Sequence, residues 1–269
     1  MYADSILRSV TQGLMAFSFA SVAWYVAAGI SSLGALYLLF VVLVVIFQRQ
    51  PAFESAREVV KKGYKGVAIS ETAWGLSFVP PKESKIGIVY FPGALVDHVA
   101  YAPLCARIAA RAKAPVFLIS VPLRLATLSP RSCASRARDA KRTTNAAHWI
   151  YAGHSLGGSA AKAAASKDDQ AVGLLLHASY CDARDVPDRV RILQVVAEAD
   201  KIVTDVCEPD GTRVAVSTVK GGNHAGFAHY GPQTFPRRDG ERTTTLDAQI
   251  RQAADASAEW ATNLLGGGD

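Results

Sequence analysis

One serine in the chain sits where a hydroxyl could be presented for chemistry. Gly153-His154-Ser155-Leu156-Gly157 follows the apolar run His148 to Ala152 and opens an alanine-rich stretch of helical period. A reversal that tight between strand and helix strains the backbone at Ser155. The flanking glycines remove the Cβ atoms that would collide with neighbouring chain, which leaves the hydroxyl exposed at the top of a sheet. A serine hydroxyl near neutral pH needs a base, and six histidines are available, at 98, 148, 154, 177, 224 and 229. His224 lies in Gly221-Gly222-Asn223-His224, just past the last strand-like run, so its ring can arrive over Ser155; His229 is the alternate. The base in turn needs a carboxylate on its far ring nitrogen. Asp200, after the run Ile192 to Ala197, fits that role, with Glu198 and Asp205 as fallbacks. Two backbone N–H groups could face a developing oxyanion. They are Leu156, next to the serine, and Ala94, in the turn Phe91-Pro92-Gly93-Ala94.

Those groups must be carried by a sheet, and its strands are visible. Apolar runs at Ile86 to Phe91, Val116 to Val121, His148 to Ala152, Val172 to His177, Ile192 to Ala197 and Arg213 to Val219 read as strands. Weaker runs at Gly66 to Ser70 and Leu76 to Val79 bring the number to eight. Helical stretches at Tyr101 to Lys113, Arg131 to Asn145, Ser155 to Lys167 and Leu246 to Leu265 fall between or after them. The alternation predicts an α/β protein with a mostly parallel sheet and helices on both faces.

With these residues in view, the chain resembles the α/β-hydrolase superfamily, and within it a compact lid-less group related to dienelactone hydrolases. The resemblance runs from about Lys85 to Trp260. It is carried by YFPGALVDHVAYAPLCARIA, VPLRLA, GHSLGG and GGNHAGFAHYGPQ. It implies the α/β-hydrolase fold and a serine hydrolase acting on small-molecule carboxylic esters without a cofactor, with Ser155, Asp200 and His224 as its triad. The chain departs from the group at Ala197-Glu198-Ala199-Asp200-Lys201 and at Ala94, where glycine is commoner. Dienelactone hydrolases proper use cysteine as nucleophile, so their substrate is not carried over. Only 11 residues separate Ser179 from Arg191, which leaves no room for a helical lid and favours short or medium acyl chains.

Forty residues from Ser9 to Gln48 carry no formal charge. A bilayer core takes roughly 20 helical residues, so residues 1–50 are expected to anchor the chain in a lipid bilayer, as one span near Val26 to Phe47 or as a hairpin turning near Gly29 to Ser32. Residues 51–65 then read as a basic juxtamembrane linker and 66–269 as the hydrolase domain. Arg49, Arg57, Lys61, Lys62 and Lys65 outnumber Glu54 and Glu58 beyond the apolar run, which predicts the cytoplasmic, or stromal or matrix, side of a membrane for that domain. The formal charge of +6 is spread along the chain without a nucleic-acid-binding signature. Its densest run, Arg131 to Arg142, reads as a solvated helix face. Cysteines 105, 133, 181 and 207 have no metal-ligand spacing and are expected to be reduced and buried, with no metal bound.

Overall fold

The computed structural model describes residue 29, residues 31–44 and residues 46–266. The chain divides into two units, Met1–Gln48 and Arg49–Asp269. In the first, residues 31–44 are helical, and Leu33, Leu36, Tyr37 and Phe40 are exposed. Among the described residues no helix is long and apolar enough to cross a membrane. The transmembrane segment expected to precede the sheet is therefore not shown, and most of a first hairpin helix lies outside the described residues.

The second unit is built on one eight-stranded sheet. Its strands are β1 (Ala68–Thr72), β2 (Gly75–Val79), β3 (Ile86–Phe91), β4 (Val116–Ile119), β5 (His148–His154), β6 (Ala171–His177), β7 (Arg191–Ala197) and β8 (Val214–Val219), in the order β1-β2-β4-β3-β5-β6-β7-β8. From β4 to β8 every pairing is parallel, and β2 runs antiparallel to both of its neighbours, β1 and β4. A parallel sheet must be covered on both faces, which is why its strands read as unbroken apolar runs. In β3 the side chains alternate: Ile86, Ile88 and Tyr90 join the core on one face, Val89 and Phe91 the core on the other.

Five helices cover the sheet. On the first face lie α1 (Glu54–Lys62), α2 (Ala102–Ala112) and α5 (Leu246–Gly266), contributing Ala56, Leu104, Ile108, Ile250 and Ala253 to the core. On the second lie α3 (Pro130–Lys141) and α4 (Leu156–Ala165), which contribute Cys133, Ala137, Ala161 and Ala165. Residues 51–65, read as a linker, thus carry a helix whose Ala56 is fully buried. The basic run on α3 is also more than a solvated face. Arg136 bonds the Ser120 carbonyl at 2.9 Å, and Lys141 pairs with Asp168 while lying over the Trp149 ring.

The cysteines depart from expectation. Cys105 and Cys133 are free and buried, but Cys181 and Cys207 form a disulfide with their Cα atoms 5.4 Å apart. The cause is sheet order. β6 and β7 are neighbours, so the loops that leave their carboxyl ends lie side by side and bring two cysteines 26 positions apart into reach. Gln194 ties the same two loops by donating to the Ser179 and Asp205 carbonyls and accepting from the Cys207 amide. Closing a loop of this size removes unfolded-state entropy worth about 3 kcal/mol. Cys207→Ser should lower the urea-unfolding free energy by about that much, and reduction of the wild type should do the same; an unchanged midpoint would show that the bridge is not formed.

Candidate active site

The sheet delivers four turns to one edge. Ala94 comes three residues after β3, Ser155 directly after β5, Asp200 three residues after β7 and His224 five residues after β8. Strand ends in a parallel sheet all point the same way, so residues 94 to 224 in sequence meet at its carboxyl edge.

Ser155 takes φ 52° and ψ −126°, a left-handed backbone rarely adopted by a residue with a side chain. The turn is held by close approach. A Cβ on Gly157 would overlap the carbonyls of Phe91 and Pro92, and one on Gly153 would overlap the carbonyl of Gly157. Hydrogen bonds fix the rest: the Ser155 amide donates to the His177 carbonyl at 3.0 Å, and the Ser179 hydroxyl donates to the Ser155 carbonyl at 2.6 Å. The amides of Leu156 and Ala94 meet no acceptor among the described residues.

The acid and base positions are joined. His224 Nδ1–H donates to Asp200 Oδ2 at 2.8 Å, and the two side chains are 1% and 4% exposed. The other carboxylate oxygen of Asp200 accepts from the amides of Ile202 and Val203. His224 Nε2 is buried without a hydrogen-bond partner among the described residues. The ring lies 4.5 Å, centroid to centroid, from that of His154, the residue before the serine. That contact places the imidazole at the Ser155 corner, although no hydrogen bond joins it to the hydroxyl.

Two of the three alternates, Glu198 and His229, are engaged elsewhere, and Asp205 is exposed. Glu198 accepts from the Gly221 amide, Asp205 offers its carbonyl to Gln194, and His229 Nδ1 bonds Ser55 on α1 at 2.8 Å. Residues that sequence reading passed over shape the base loop. Asp239 accepts from the amides of His224 and Ala225, and Gln249 brackets Asn223 by accepting from its amide and donating to its carbonyl. A buried glutamine on an otherwise amphipathic helix was the one available signal for the second. A cavity of about 440 Å³ opens between α3 and α4, lined by Ala134, Ala137, Ala160 and Ala163, and none of Ser155, Asp200 and His224 lines it.

Residues 87–250, more than half of the chain, match the model of the alpha/beta hydrolase family. The chain belongs to the alpha/beta hydrolase family. No curated protein matches it. Among solved structures, carboxyl esterase 2 from the mycorrhizal fungus Tuber melanosporum aligns with a TM-score of 0.53 at 13% identity, over 81% of this chain and 90% of that one. A dienelactone hydrolase from Anabaena variabilis aligns with a TM-score of 0.51 at 18% identity, over 72% and 97%. A hormone-sensitive lipase from a metagenome library gives 0.51 at 12% identity, over 78% and 91%. These likenesses establish the fold.

Two more histidines lie beneath this carboxyl edge of the sheet. His154 and His177 are register partners on β5 and β6, both fully buried. Burial holds the His154 ring well below its ordinary pKa and pushes His177 down to about 3. Unfolding returns both rings to their usual range near 6.5, where they take up protons that the folded rings refuse. Stability from this source is complete above about pH 6.5 and is lost as the pH falls toward 3. Urea unfolding measured from pH 7 to 4 should show proton uptake on unfolding, reduced by about one proton in His177→Gln; an uptake identical in the variant would contradict the assignment.

Proposed function

We propose that the chain is a serine hydrolase that cleaves carboxylic esters of short or medium acyl chain through an acyl-enzyme on Ser155. The observation that carries this reading is the buried Asp200–His224 pair with an unpartnered Nε2, set beside a serine in a strained turn at the same sheet edge. In the proposed reaction His224 Nε2 takes the Ser155 proton as Oγ attacks the ester carbonyl. Asp200 fixes the tautomer that leaves Nε2 unprotonated and stabilises the imidazolium that forms. The amides of Leu156 and Ala94 donate to the oxyanion, and His224 returns the proton to the departing alcohol. Water, activated by the same base, then releases the acid. Thioesters, amides and transfer to other acceptors would use the same groups.

The competing reading is a catalytically silent scaffold, and it is favoured by the missing hydrogen bond between Ser155 and His224. A fluorophosphonate probe separates the two. Wild type should label and Ser155→Ala should not, while Asp200→Asn should lower kcat on p-nitrophenyl acetate by about 10³- to 10⁴-fold. A folded wild type that resists the probe favours the scaffold.

We also propose that the apolar N-terminal segment holds the chain in a lipid bilayer. The basic flank favours the cytoplasmic side for the hydrolase domain, whereas the Cys181–Cys207 disulfide favours an oxidising compartment. Removal of residues 1–48 should release soluble protein that still cleaves p-nitrophenyl acetate. Denaturing intact cells directly in an excess of thiol alkylator decides the side: four alkylated cysteines place the domain in a reducing compartment, two in an oxidising one.

A further inference from the structure

Under the reacting groups runs a buried chain of hydrogen bonds that the proposed reaction does not use. The Gly93 amide donates to the Tyr101 hydroxyl at 2.9 Å. Tyr101 Oη lies 2.8 Å from His154 Nδ1, and His154 Nε2 lies 3.0 Å from the His224 carbonyl oxygen. Every proton in it can be assigned. A carbonyl oxygen only accepts, so Nε2 carries the ring proton; Nδ1 then has a lone pair and accepts from the tyrosine hydroxyl. The ring must be neutral for this, and its surroundings keep it so. Burial disfavours the cation, His177 and His224 face it, and Tyr101, Phe227 and Tyr230 pack around it.

The chain spans both sides of the serine. On one side it reaches the oxyanion turn, where a Cβ on Gly93 would lie 2.9 Å from both His154 Nδ1 and Tyr101 Oη, so the turn is pressed against the pair. The Gly93 amide is tied to Tyr101 and the Leu95 amide to the Arg124 carbonyl at 2.7 Å, and between them lies the N–H of Ala94. On the other side the chain holds the backbone of the base. We propose that His154 is a positioning residue that sets the oxyanion turn through Tyr101 and the base through the carbonyl of His224. This rests on the acyl-enzyme reading above, and its test can fail separately.

Two half-conservative variants divide the arms. Gln at 154 can keep a donor near the Nε2 position and loses the acceptor for Tyr101; Asn at 154 can keep an acceptor near Nδ1 and loses the donor to His224. On p-nitrophenyl acetate, His154→Gln and Tyr101→Phe should each lower kcat by about ten- to a hundredfold with KM within about twofold, since misaligned donors act on the transition state. Both should weaken a boronic acid inhibitor by a similar factor, and the double variant should be no worse than either single one. His154→Asn should instead move the acid limb of the pH–rate profile, which the other two leave in place. In wild type, ¹⁵N spectra should show His154 neutral with its proton on Nε2 at pH 5. Folded variants within twofold of wild type, additive losses, or a His154 imidazolium at pH 5 would overturn the proposal while fluorophosphonate labelling of wild type persists. A folded wild type that does not label would overturn the acyl-enzyme reading and this one together. If His154→Asn does not fold, the Tyr101→Phe and His154→Gln cycle and the spectra still decide.

Discussion

The backbone at Ser155 is the constraint from which the rest of the edge follows. A side-chain-bearing residue at φ 52° costs on the order of 1 to 3 kcal/mol, and it persists only where its surroundings leave no alternative. Here they leave none. The amide is bonded to β6, the carbonyl is bonded by Ser179, and the two glycines of the turn lie against backbone that a Cβ would displace. Because β3 and β5 pair directly, with Phe91 opposite Gly153, the contact of Gly157 with the Phe91 and Pro92 carbonyls also locks the turn after β3 to the serine turn. One strained residue therefore fixes two of the four groups at the edge.

The other two come from loops beyond β7 and β8, where no ladder continues. Side chains take over from the backbone there. Asp200 accepts the amides of Ile202 and Val203, Asp239 those of His224 and Ala225, and Gln249 and Asn223 fasten the glycine-rich turn between them. Each of these polar groups is satisfied at least once, which turns a buried-polar cost into a geometric restraint. The disulfide and Gln194 act further along the acid loop, between β6 and β7.

Legibility in sequence follows this division between strands and loops. The six clear runs fall on β3 to β8 with ends displaced by at most two residues, because β3 to β6 are buried on both faces and almost wholly apolar, while β7 and β8 keep apolar residues at most of their positions. The serine turn was readable for the same local reason, since glycines two residues either side of a serine between strand and helix have one steric meaning. Helix α1 was missed because its five charged residues mask the short apolar set of Ala56, Val59 and Val60. The disulfide was missed because its pairing depends on which strands are neighbours, a property of topology that no spacing between Cys181 and Cys207 encodes. Asp239 and Gln249 were invisible on similar grounds: their partners lie 14 to 26 residues away and are backbone atoms, which have no letter in a sequence.

The histidines beneath the edge show why a buried polar side chain can suit such a place better than an apolar one. In the proposed reaction His224 passes through an imidazolium whose ring centre is 4.5 Å from that of His154. A second cation at that separation would oppose it by about 4 kcal/mol at an effective dielectric near 20, close to a thousandfold in rate. A leucine would avoid that penalty but would leave the His224 carbonyl without its donor and the Tyr101 hydroxyl proton without an acceptor, at about 1 to 3 kcal/mol each. A histidine kept neutral by burial satisfies both and adds no charge. Its low proton affinity follows from the same burial that makes it stable there, and so does the acid sensitivity of the fold. His154 and its register partner His177 are both held neutral by burial, and each takes up on unfolding a proton that the folded ring refuses, so the same burial that keeps a second charge away from His224 contributes less stability as the pH falls.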